Sequence, residues 1–239
     1  MKIALLGYGK MGKELEQVAQ QHNHRVIIRA DVENISSLKD SELKSADVAL
    51  EFSTPASAFE NILRCINAGV PVVCGTTGWT ERIEEIKSVC REKNGAVFYA
   101  PNFSIGVNIF FEINSRLAEL MRNRTEYEPE IYEVHHIHKK DKPSGTAIAL
   151  AETIIASGGK KTQWKLRDNK NVSTEKEIMV TSVRENEVPG IHTVKYFSQD
   201  DEIEITHGAK GRRAFASGAI MAAEWLQGKK GFYGMKDMM

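Results

Sequence analysis

The sequence has few cysteines, no excess charge of either sign and no long apolar run. Its three cysteines, in 239 residues, are an odd number without C-x-x-C spacing, which excludes a disulfide framework and indicates a reducing compartment. The 32 Lys and Arg residues balance 32 Asp and Glu residues, so no overall basic field attracts nucleic acid or an anionic membrane. No apolar run approaches the roughly 20 residues of a membrane span, and Met1–Leu6 is too short for a signal peptide. These absences predict a cytoplasmic protein with no nucleic-acid or membrane partner.

No internal repeat or low-complexity tract is present, and the first hundred residues alternate short apolar runs with amphipathic stretches. The runs are typical of strands buried on both faces, and the stretches between them have helical spacing. The five runs are Ile3–Leu6, Val26–Ala30, Val48–Phe52, Val70–Cys74 and Ala96–Ala100. Repeated β-α-β units of this kind predict an α/β fold with a Rossmann-type, doubly wound parallel sheet.

The pattern changes after Phe103. A long helix is predicted over Val107–Met121, and four later segments alternate as strands of a mixed or antiparallel sheet do: Glu130–His136, Glu177–Val183, His192–Phe197 and Glu202–Thr206. The polar residues 158–176 are predicted to be a loop, and Ala214–Leu226 a last helix that packs on the first domain. We therefore expect one domain of residues 1–103 plus 214–239, with an inserted α+β domain of residues 104–213.

A glycine-rich loop lies between the first predicted strand and the first predicted helix. Gly7-Tyr8-Gly9-Lys10-Met11-Gly12 fits G-x-G-x-x-G. In this pattern the first glycine permits a tight turn, the second lets the pyrophosphate approach, and the third allows the helix to contact the strand. The unpaired N–H groups of the helix then bind the phosphates. The loop predicts a dinucleotide site in the first domain.

The end of the second predicted strand bears on the choice of cofactor. Asp31 lies about 20 residues beyond the glycine loop, where an acidic residue binds the ribose hydroxyls of the adenosine, although a plain turn Asp is the alternative. Val32 follows it where an Arg could have paired with a 2′-phosphate. We expect NADH to serve at least as well as NADPH, with Lys10 and Arg29 as cations that weaken the preference.

Two more loops follow predicted parallel strands. They are Gly75-Thr76-Thr77-Gly78 and Ala100-Pro101-Asn102-Phe103. Either alone could be a plain turn. Because ligands bind outside the carboxyl ends of parallel strands, the two loops and the glycine loop together predict one edge of the cofactor crevice.

Three of the seven histidines lie within four residues, His135, His136 and His138, and Lys139 follows them. Histidine exchanges protons near neutrality, so the segment predicts a site for a small anion that needs a proton. A straight strand over Ile131–Lys139 would hold His135 about 13 Å from Lys139. The strand must therefore end or curl near Ile137 if both are to serve one substrate.

The histidine segment runs into Pro143-Ser144-Gly145-Thr146, which opens a predicted helix over Ala147–Ile155. Ser144 or Thr146 can cap this helix, and its N-terminus suits a carboxylate. A solvated basic hairpin is the plain alternative. No metal is expected, because the histidines have no matching carboxylate or Cys in the pattern. Arg212 or Arg213, before the last helix, can clamp a second carboxylate, although an exposed basic loop fits almost as well.

Taken in order, these motifs resemble the bacterial dihydrodipicolinate reductase family, now described as 4-hydroxy-tetrahydrodipicolinate reductases, of the diaminopimelate route to lysine. The resemblance covers nearly the whole chain. Its most specific parts are Glu133–Lys139 and Pro143–Thr146. The glycine loop and four other segments support it: Gly75–Thr77, Ala100–Ser104, Ile205–His207 and Phe215–Ala219.

The resemblance implies hydride transfer from NADH or NADPH to the ring of a cyclic dicarboxylate imine, with loss of water. It implies that His135 is a proton donor or acceptor and Lys139 a proton donor. Substrate carboxylate would be bound by His136, Gly145 and Thr146, with Ser144 in the same turn and Arg212 near the substrate. The inserted domain would bind substrate and build a homotetramer. Relatives are cytoplasmic.

Two departures from the family concern the cofactor. The glycine loop is one residue shorter than the common form, and Asp31-Val32 replaces the usual Glu-Arg pair. Two other functions are compatible with the fold: a different NAD(P)-dependent dehydrogenase of a small dicarboxylate, and a dinucleotide-sensing regulator without catalysis. The intact pair of His135 and Lys139 argues against the regulator.

Overall fold

The computed structural model describes residues 1–168 and 174–239. The chain divides into two compact units. The first unit comprises residues 1–105 and 212–239, and the second comprises residues 106–211. The second unit is therefore inserted into the sequence of the first unit, near the C-terminal end of the chain.

Eleven strands and eight helices make up the described part of the chain, numbered in chain order. The strands are β1 (Lys2–Leu6), β2 (Arg25–Ala30), β3 (Val48–Glu51), β4 (Val72–Cys74), β5 (Ala96–Tyr99), β6 (Glu128–His135), β7 (Gln163–Leu166), β8 (Glu177–Arg184), β9 (Ile191–Phe197), β10 (Glu202–Gly208) and β11 (Gly231–Tyr233). The helices are α1 (Lys10–Gln21), α2 (Asp40–Leu43), α3 (Pro55–Ala68), α4 (Ile83–Glu92), α5 (Ile105–Met121), α6 (Gly145–Ala156), α7 (Arg213–Trp225) and α8 (Met235–Met238). Among the described residues, none of these helices combines the length and the apolar character needed to cross a membrane.

The first unit is a six-stranded sheet in the order β11-β5-β4-β3-β1-β2, and every neighbouring pair is parallel. Helices cover both faces. Leu5 packs in one cluster with α1 and α7, whereas Leu6 packs in a second cluster with α3 and α4. A strand covered on both faces needs apolar residues at every position, which explains the continuous apolar runs. The predicted Rossmann-type sheet is confirmed.

The second unit is a five-stranded mixed sheet in the order β10-β9-β6-β8-β7. The central strand, β6, is parallel to β8 and antiparallel to β9. One face packs against α5 and α6, and Ile131 and Val194 from this face are buried beside Leu150 of α6. The opposite face carries Tyr132, which is 41% exposed. The predicted inserted α+β domain on a mixed sheet is confirmed.

Two sequence predictions about local structure were wrong in part. The loop predicted for residues 158–176 contains strand β7, which pairs parallel to the start of β8, and residues 169–173 of that loop lie outside the described residues. Strand β7 was missed because polar residues interrupt it. Strand β11 and helices α2 and α8 were missed because each has only three or four residues, too few to show a period. Each of them borders longer elements that the sequence did predict.

Candidate active site

The glycine loop joins β1 to α1 in the first unit. Gly7 has φ +104°, and a Cβ there would lie 2.1 Å from the carbonyl oxygen of Phe52, so only glycine fits. Gly9 is the N-cap of α1 and provides no side-chain cap, which leaves the first N–H groups of the helix for a ligand. Gly12 is buried in the first turn, and Lys10 is exposed at its start. The chain therefore fits a dinucleotide pyrophosphate at this helix end.

Two clefts of the first unit open beside this loop. The larger encloses about 1010 Å³ of empty space and includes in its lining Gly7, Gly9, Asp31, Val32 and Glu33. The second encloses about 760 Å³ and is lined by Met11, Phe52, Ser53, Pro55, Gly75, Thr76, Thr77, Pro101, Asn102, Phe103 and Phe215. The fold thus brings together nearly all of the residues predicted for the cofactor. Three of the predicted residues line neither cleft: Ala100, which is buried, Gly12 and Lys10.

Sequence reasoning missed the loop Phe52–Thr54, whose first two residues line both clefts. The backbone N–H of Ser53 donates to the hydroxyl of Thr76 at 2.9 Å, which connects two crevice loops. The signal was available, because this loop follows the carboxyl end of β3 just as the other crevice loops follow their strands.

Of the two cations named for the adenosine end, Arg29 is engaged by Glu16, and Lys10 is exposed and does not line the cleft. Arg29 donates to Glu16 from Nε at 3.0 and 3.1 Å, and Tyr8 also donates to Glu16. Contacts with Arg29 outweigh burial and hold the pKa of Glu16 below its usual range. The cleft beside Asp31 and Glu33 therefore has two carboxylates in its lining and no Lys or Arg.

In the second unit, β6 ends at His135. Ile137 donates its N–H to Asn186, and Lys139 donates its N–H to the carbonyl oxygen of His136 at 3.1 Å. A turn closed in this way keeps the Cα atoms of its end residues within about 7 Å. The prediction that the strand ends or curls before Lys139 is confirmed.

The side chains of this turn differ in exposure. Lys139 is 23% exposed, and its Nζ lies 2.8 Å from a carboxylate oxygen of Asp141. His136 is half-buried, and its Nδ1 is buried without a hydrogen-bond partner in the described part of the chain. His138 is 70% exposed beside Glu187. The side chains of Lys139 and His136 are therefore partly buried and accessible to a ligand, whereas His138 is in solvent.

His135 is buried against a carboxylate that the sequence analysis did not assign to the site. Glu133 lies two residues earlier on the same strand face, with an exposure of 0%. Its Oε2 is 3.3 Å from Nδ1 of His135 and 3.6 Å from Nε2 of His192. Neither contact has hydrogen-bond geometry, so both are electrostatic contacts. The available signal was an acidic residue on the strand face that also carries Ile131, because a buried carboxylate requires partners.

The other oxygen of Glu133 is paired. Oε1 accepts the backbone N–H of Ser144 at 3.0 Å and lies 3.2 Å from the guanidinium of Arg184. Burial raises the pKa of Glu133, but contacts with the two imidazoles and with Ser144 outweigh burial and hold the pKa well below its usual range. The carboxylate is therefore ionised at neutral pH.

His192 and Gly190 complete the surroundings of His135. The two imidazole rings meet edge to face with centroids 4.8 Å apart, and burial lowers the pKa of His192 although Glu133 opposes the shift. Gly190 has φ +151°, and a Cβ there would lie 3.0 Å from Nε2 of His135. Any larger residue would therefore press on the nitrogen that faces away from Glu133.

Ser144 caps α6, because its hydroxyl accepts the N–H of Ala147 at 3.2 Å. The same hydroxyl is 3.1 Å from Nε2 of His192, and Ser144 is 2% exposed. Gly145 is exposed with nothing near its missing Cβ, and Thr146 is half-buried. Glu133 thus connects the imidazole of His135 to a helix N-terminus that presents Gly145 and Thr146.

Arg212 belongs to the first unit. It is exposed directly before α7. The expectation that the histidines lack a carboxylate was wrong, since ligand atoms of Glu133, His135 and His192 lie within 4.8 Å of one another. Arg184 and Ser144 already occupy one oxygen of that carboxylate.

A parallel doubly wound sheet with a glycine loop and two adjoining crevices defines the class of dinucleotide-dependent oxidoreductases. Two family models match this chain: dihydrodipicolinate reductase, N-terminus, over residues 1–103, and dihydrodipicolinate reductase, C-terminus, over residues 106–239. The chain belongs to the dihydrodipicolinate reductase family.

Individual proteins show the same similarity. The chain is 45% identical to a 4-hydroxy-tetrahydrodipicolinate reductase of Christiangramia forsetii, covering 100% of this chain and 98% of that protein. It is 31% identical to an enzyme of that name from Neisseria meningitidis, covering 100% of this chain and 97% of the other. The solved structure of a dipicolinate-bound dihydrodipicolinate reductase from Paenisporosarcina sp. TG-14 has the same fold, with a TM-score of 0.77 at 24% identity over 100% of this chain and 99% of that one.

Proposed function

We propose that this chain reduces (2S,4S)-4-hydroxy-2,3,4,5-tetrahydrodipicolinate to (S)-2,3,4,5-tetrahydrodipicolinate with NAD(P)H, in the diaminopimelate pathway to lysine. The observation that carries the proposal is the end of β6, where buried His135, the turn with Lys139 and the N-terminus of α6 follow one another in one unit. The names of the two full-length relatives support the substrate.

The second unit would bind the substrate carboxylate and deliver protons. We assign carboxylate binding to the backbone N–H groups of Gly145 and Thr146, with His136 as a further donor. Ser144 contributes by holding the helix end, because both its polar groups already have protein partners. We propose Arg212, from the first unit, as a second carboxylate partner.

In the reaction one hydride and one proton are added, and one water molecule leaves. We assign proton transfer to Nε2 of His135, the nitrogen opposite Glu133, and proton donation to Nζ of Lys139. The carboxylate of Asp141 forms an ion pair with Nζ of Lys139. Glu133 stabilises the charge that His135 carries when it holds a proton on both nitrogens.

The nicotinamide cofactor supplies the hydride when bound in the first unit. The glycine loop, Asp31 and the three crevice loops would hold it. We propose that NADH serves at least as well as NADPH, because a 2′-phosphate in the larger cleft would meet Asp31 and Glu33 while Arg29 remains paired with Glu16.

The activity is tested by following NADH or NADPH absorbance with freshly generated product of dihydrodipicolinate synthase as substrate. We expect oxidation of the cofactor that depends on that substrate. Absence of oxidation above background with both cofactors contradicts the proposed reaction. Cofactor choice is tested in the same assay by comparing kcat/KM for NADH and NADPH, and a strong preference for NADPH contradicts the role given to Asp31 and Glu33.

We also propose that the enzyme is a cytoplasmic homotetramer, as in the family it resembles. The support from the fold is the face of the second sheet that carries Tyr132, since no helix of the described second unit packs there. Exposed apolar side chains on a sheet face are typical of interfaces.

A further inference from the structure

A cluster of two imidazoles and one carboxylate lies on the first unit, outside the dinucleotide clefts. It consists of His22, His24 and Glu224, whose ligand atoms all lie within 4.8 Å of one another. Oε1 of Glu224 is 3.3 Å from Nδ1 of His22 and 2.8 Å from Nε2 of His24. The reaction proposed above uses none of these three side chains.

The backbone between the two histidines is held in place. α1 ends before His22, Asn23 has φ +59°, and the N–H of His24 returns to the carbonyl oxygen of Ala19 at 2.8 Å. This left-handed turn directs both rings to the same side, with their centroids 6.2 Å apart. The turn at Asn23 therefore brings Nδ1 of His22 and Nε2 of His24 toward the same carboxylate oxygen.

The third group comes from a different helix. Glu224 is in the last turn of α7. Helices α1 and α7 contribute Leu15, Val18 and Ile220 to the same buried cluster, so the carboxylate is held against the end of α1. The other nitrogen of His24 lies 3.2 Å from the amino group of Met1.

These distances suit a transition metal ion. Ligands bound to zinc at tetrahedral geometry, with bonds of about 2.0–2.2 Å, are roughly 3.3 Å from one another. The distances from Glu224 to His22 and His24, 3.3 and 2.8 Å, are close to this value. Two imidazole nitrogens and one carboxylate oxygen favour zinc, nickel or copper over magnesium and calcium, which prefer oxygen. His22 and Glu224 are each 40% exposed, so water can fill the remaining positions.

We propose that His22, His24 and Glu224 form a surface site for a divalent transition metal such as zinc. The metal joins the end of α1 to the end of α7 within the first unit. The metal has no part in the chemistry at His135. Metal binding at this site is therefore tested independently of the proposed reaction. The alternative occupant is a proton, which would leave only histidine–glutamate ion pairs.

The test uses the full chain and cobalt(II), whose visible absorption spectrum reports nitrogen and oxygen ligation directly. At pH 8 we expect one bound cobalt, displaced by zinc, and a rise in Tm with zinc of about 5 °C at a hundredfold excess over Kd. His22→Gln and Glu224→Gln should each weaken binding by roughly tenfold or more, since even changes to residues that only support a ligand have such effects.

His135→Gln is the matched variant, because it alters the only other histidine-carboxylate cluster of this kind in the described residues. We expect it to bind cobalt as the wild type does. No cobalt spectrum in the wild type, wild-type binding by both His22→Gln and Glu224→Gln, or loss of binding in His135→Gln would each overturn the proposal. Circular dichroism of the two surface variants shows that they are folded, which is expected from the exposure of both side chains.

Discussion

The buried carboxylate of Glu133 contacts four other residues of the second unit. Its carboxylate contacts His135 on its own strand, His192 on β9, Arg184 on β8 and the N–H of Ser144 before α6. A buried carboxylate is tolerated only when its partners compensate for the lost hydration. The residues proposed for proton transfer and for carboxylate binding are therefore held by the same ionised group.

The substitution Glu133→Gln tests whether the ionised carboxylate stabilises the fold, and the measured quantity is the free energy of unfolding. A depressed pKa means that the carboxylate stabilises the fold above its unfolded pKa of about 4.3, and that this contribution is lost as pH falls toward its lower folded pKa. We expect the variant to lose about 3 kcal/mol at pH 7, because Arg184 is left without its carboxylate. Urea unfolding at several pH values should show the difference shrinking below about pH 5.

Exposed Glu152 on α6 provides the control, since Glu152→Gln should cost little at any pH. A constant difference between wild type and Glu133→Gln from pH 7 to pH 4 would contradict the depressed pKa. The same variant should lower kcat by roughly 10- to 100-fold, as changes to supporting partners do.

His135 and Lys139 are expected to act in the chemical step. His135→Ala and Lys139→Ala should each reduce kcat by roughly 10²–10⁴, the loss typical of a general acid. The affinity for NADH, measured by fluorescence titration, should change little because the dinucleotide clefts belong to the other unit. His138→Gln is the control from the same turn, and its exposure of 70% predicts near wild-type kcat. Loss of NADH binding in either alanine variant would mean that the segment is structural.

The sequence predicted these two residues because they lie close together in a motif. The turn that follows the strand closes at His136 and Lys139, before Pro143 and Gly145. It did not predict their partners. His192 and Arg184 reach Glu133 through strand pairing, and the register of strands far apart in the chain is set by the packed sheet as a whole.

At the scale of elements, the N-terminus of α6 depends on Ser144. Ser144→Ala removes the hydroxyl that accepts from Ala147 and contacts His192. We expect a loss of about 1 kcal/mol of stability for the missing cap, and a rise in substrate KM that exceeds the fall in kcat. Thermal unfolding and steady-state kinetics measure the two effects.

Ser157 at the other end of α6 is a matched control, because its hydroxyl bonds to the carbonyl oxygen of Ile154. Ser157→Ala should leave KM unchanged. An equal rise in KM for both serine variants would show that general loosening of α6, and not the position of its N-terminus, determines substrate binding.

The elements differ in how well the sequence predicted them. β1, β3 and β5 were evident because both faces of each are covered, so that most of their residues are apolar and buried. β7 was missed because Gln163–Leu166 is polar and lies at the edge of its sheet. Its strand conformation depends on pairing with β8, which is tertiary information.

At the scale of the whole molecule, the uncovered sheet face of the second unit bears on assembly. Residues Tyr132, Thr193 and Thr206 lie side by side on this face, and Phe197 is 36% exposed further along it. Neutral net charge offers no electrostatic obstacle to association. The face is continuous across β6, β9 and β10, as an interface between copies of the chain would require.

A homotetramer built through this face should have four times the mass of the 26.7 kDa chain in light scattering. Tyr132→Lys should reduce that mass, because the added charge would be buried without a partner in the interface. Leu120→Lys is the control, since Leu120 is 59% exposed on α5, which packs on the other side of the sheet. Dissociation by Leu120→Lys alone would place the interface on the helical face, and a wild-type mass of one chain would contradict the tetramer. Because Tyr132 is exposed within one chain, Tyr132→Lys should remain folded, so a lower mass would report association rather than unfolding.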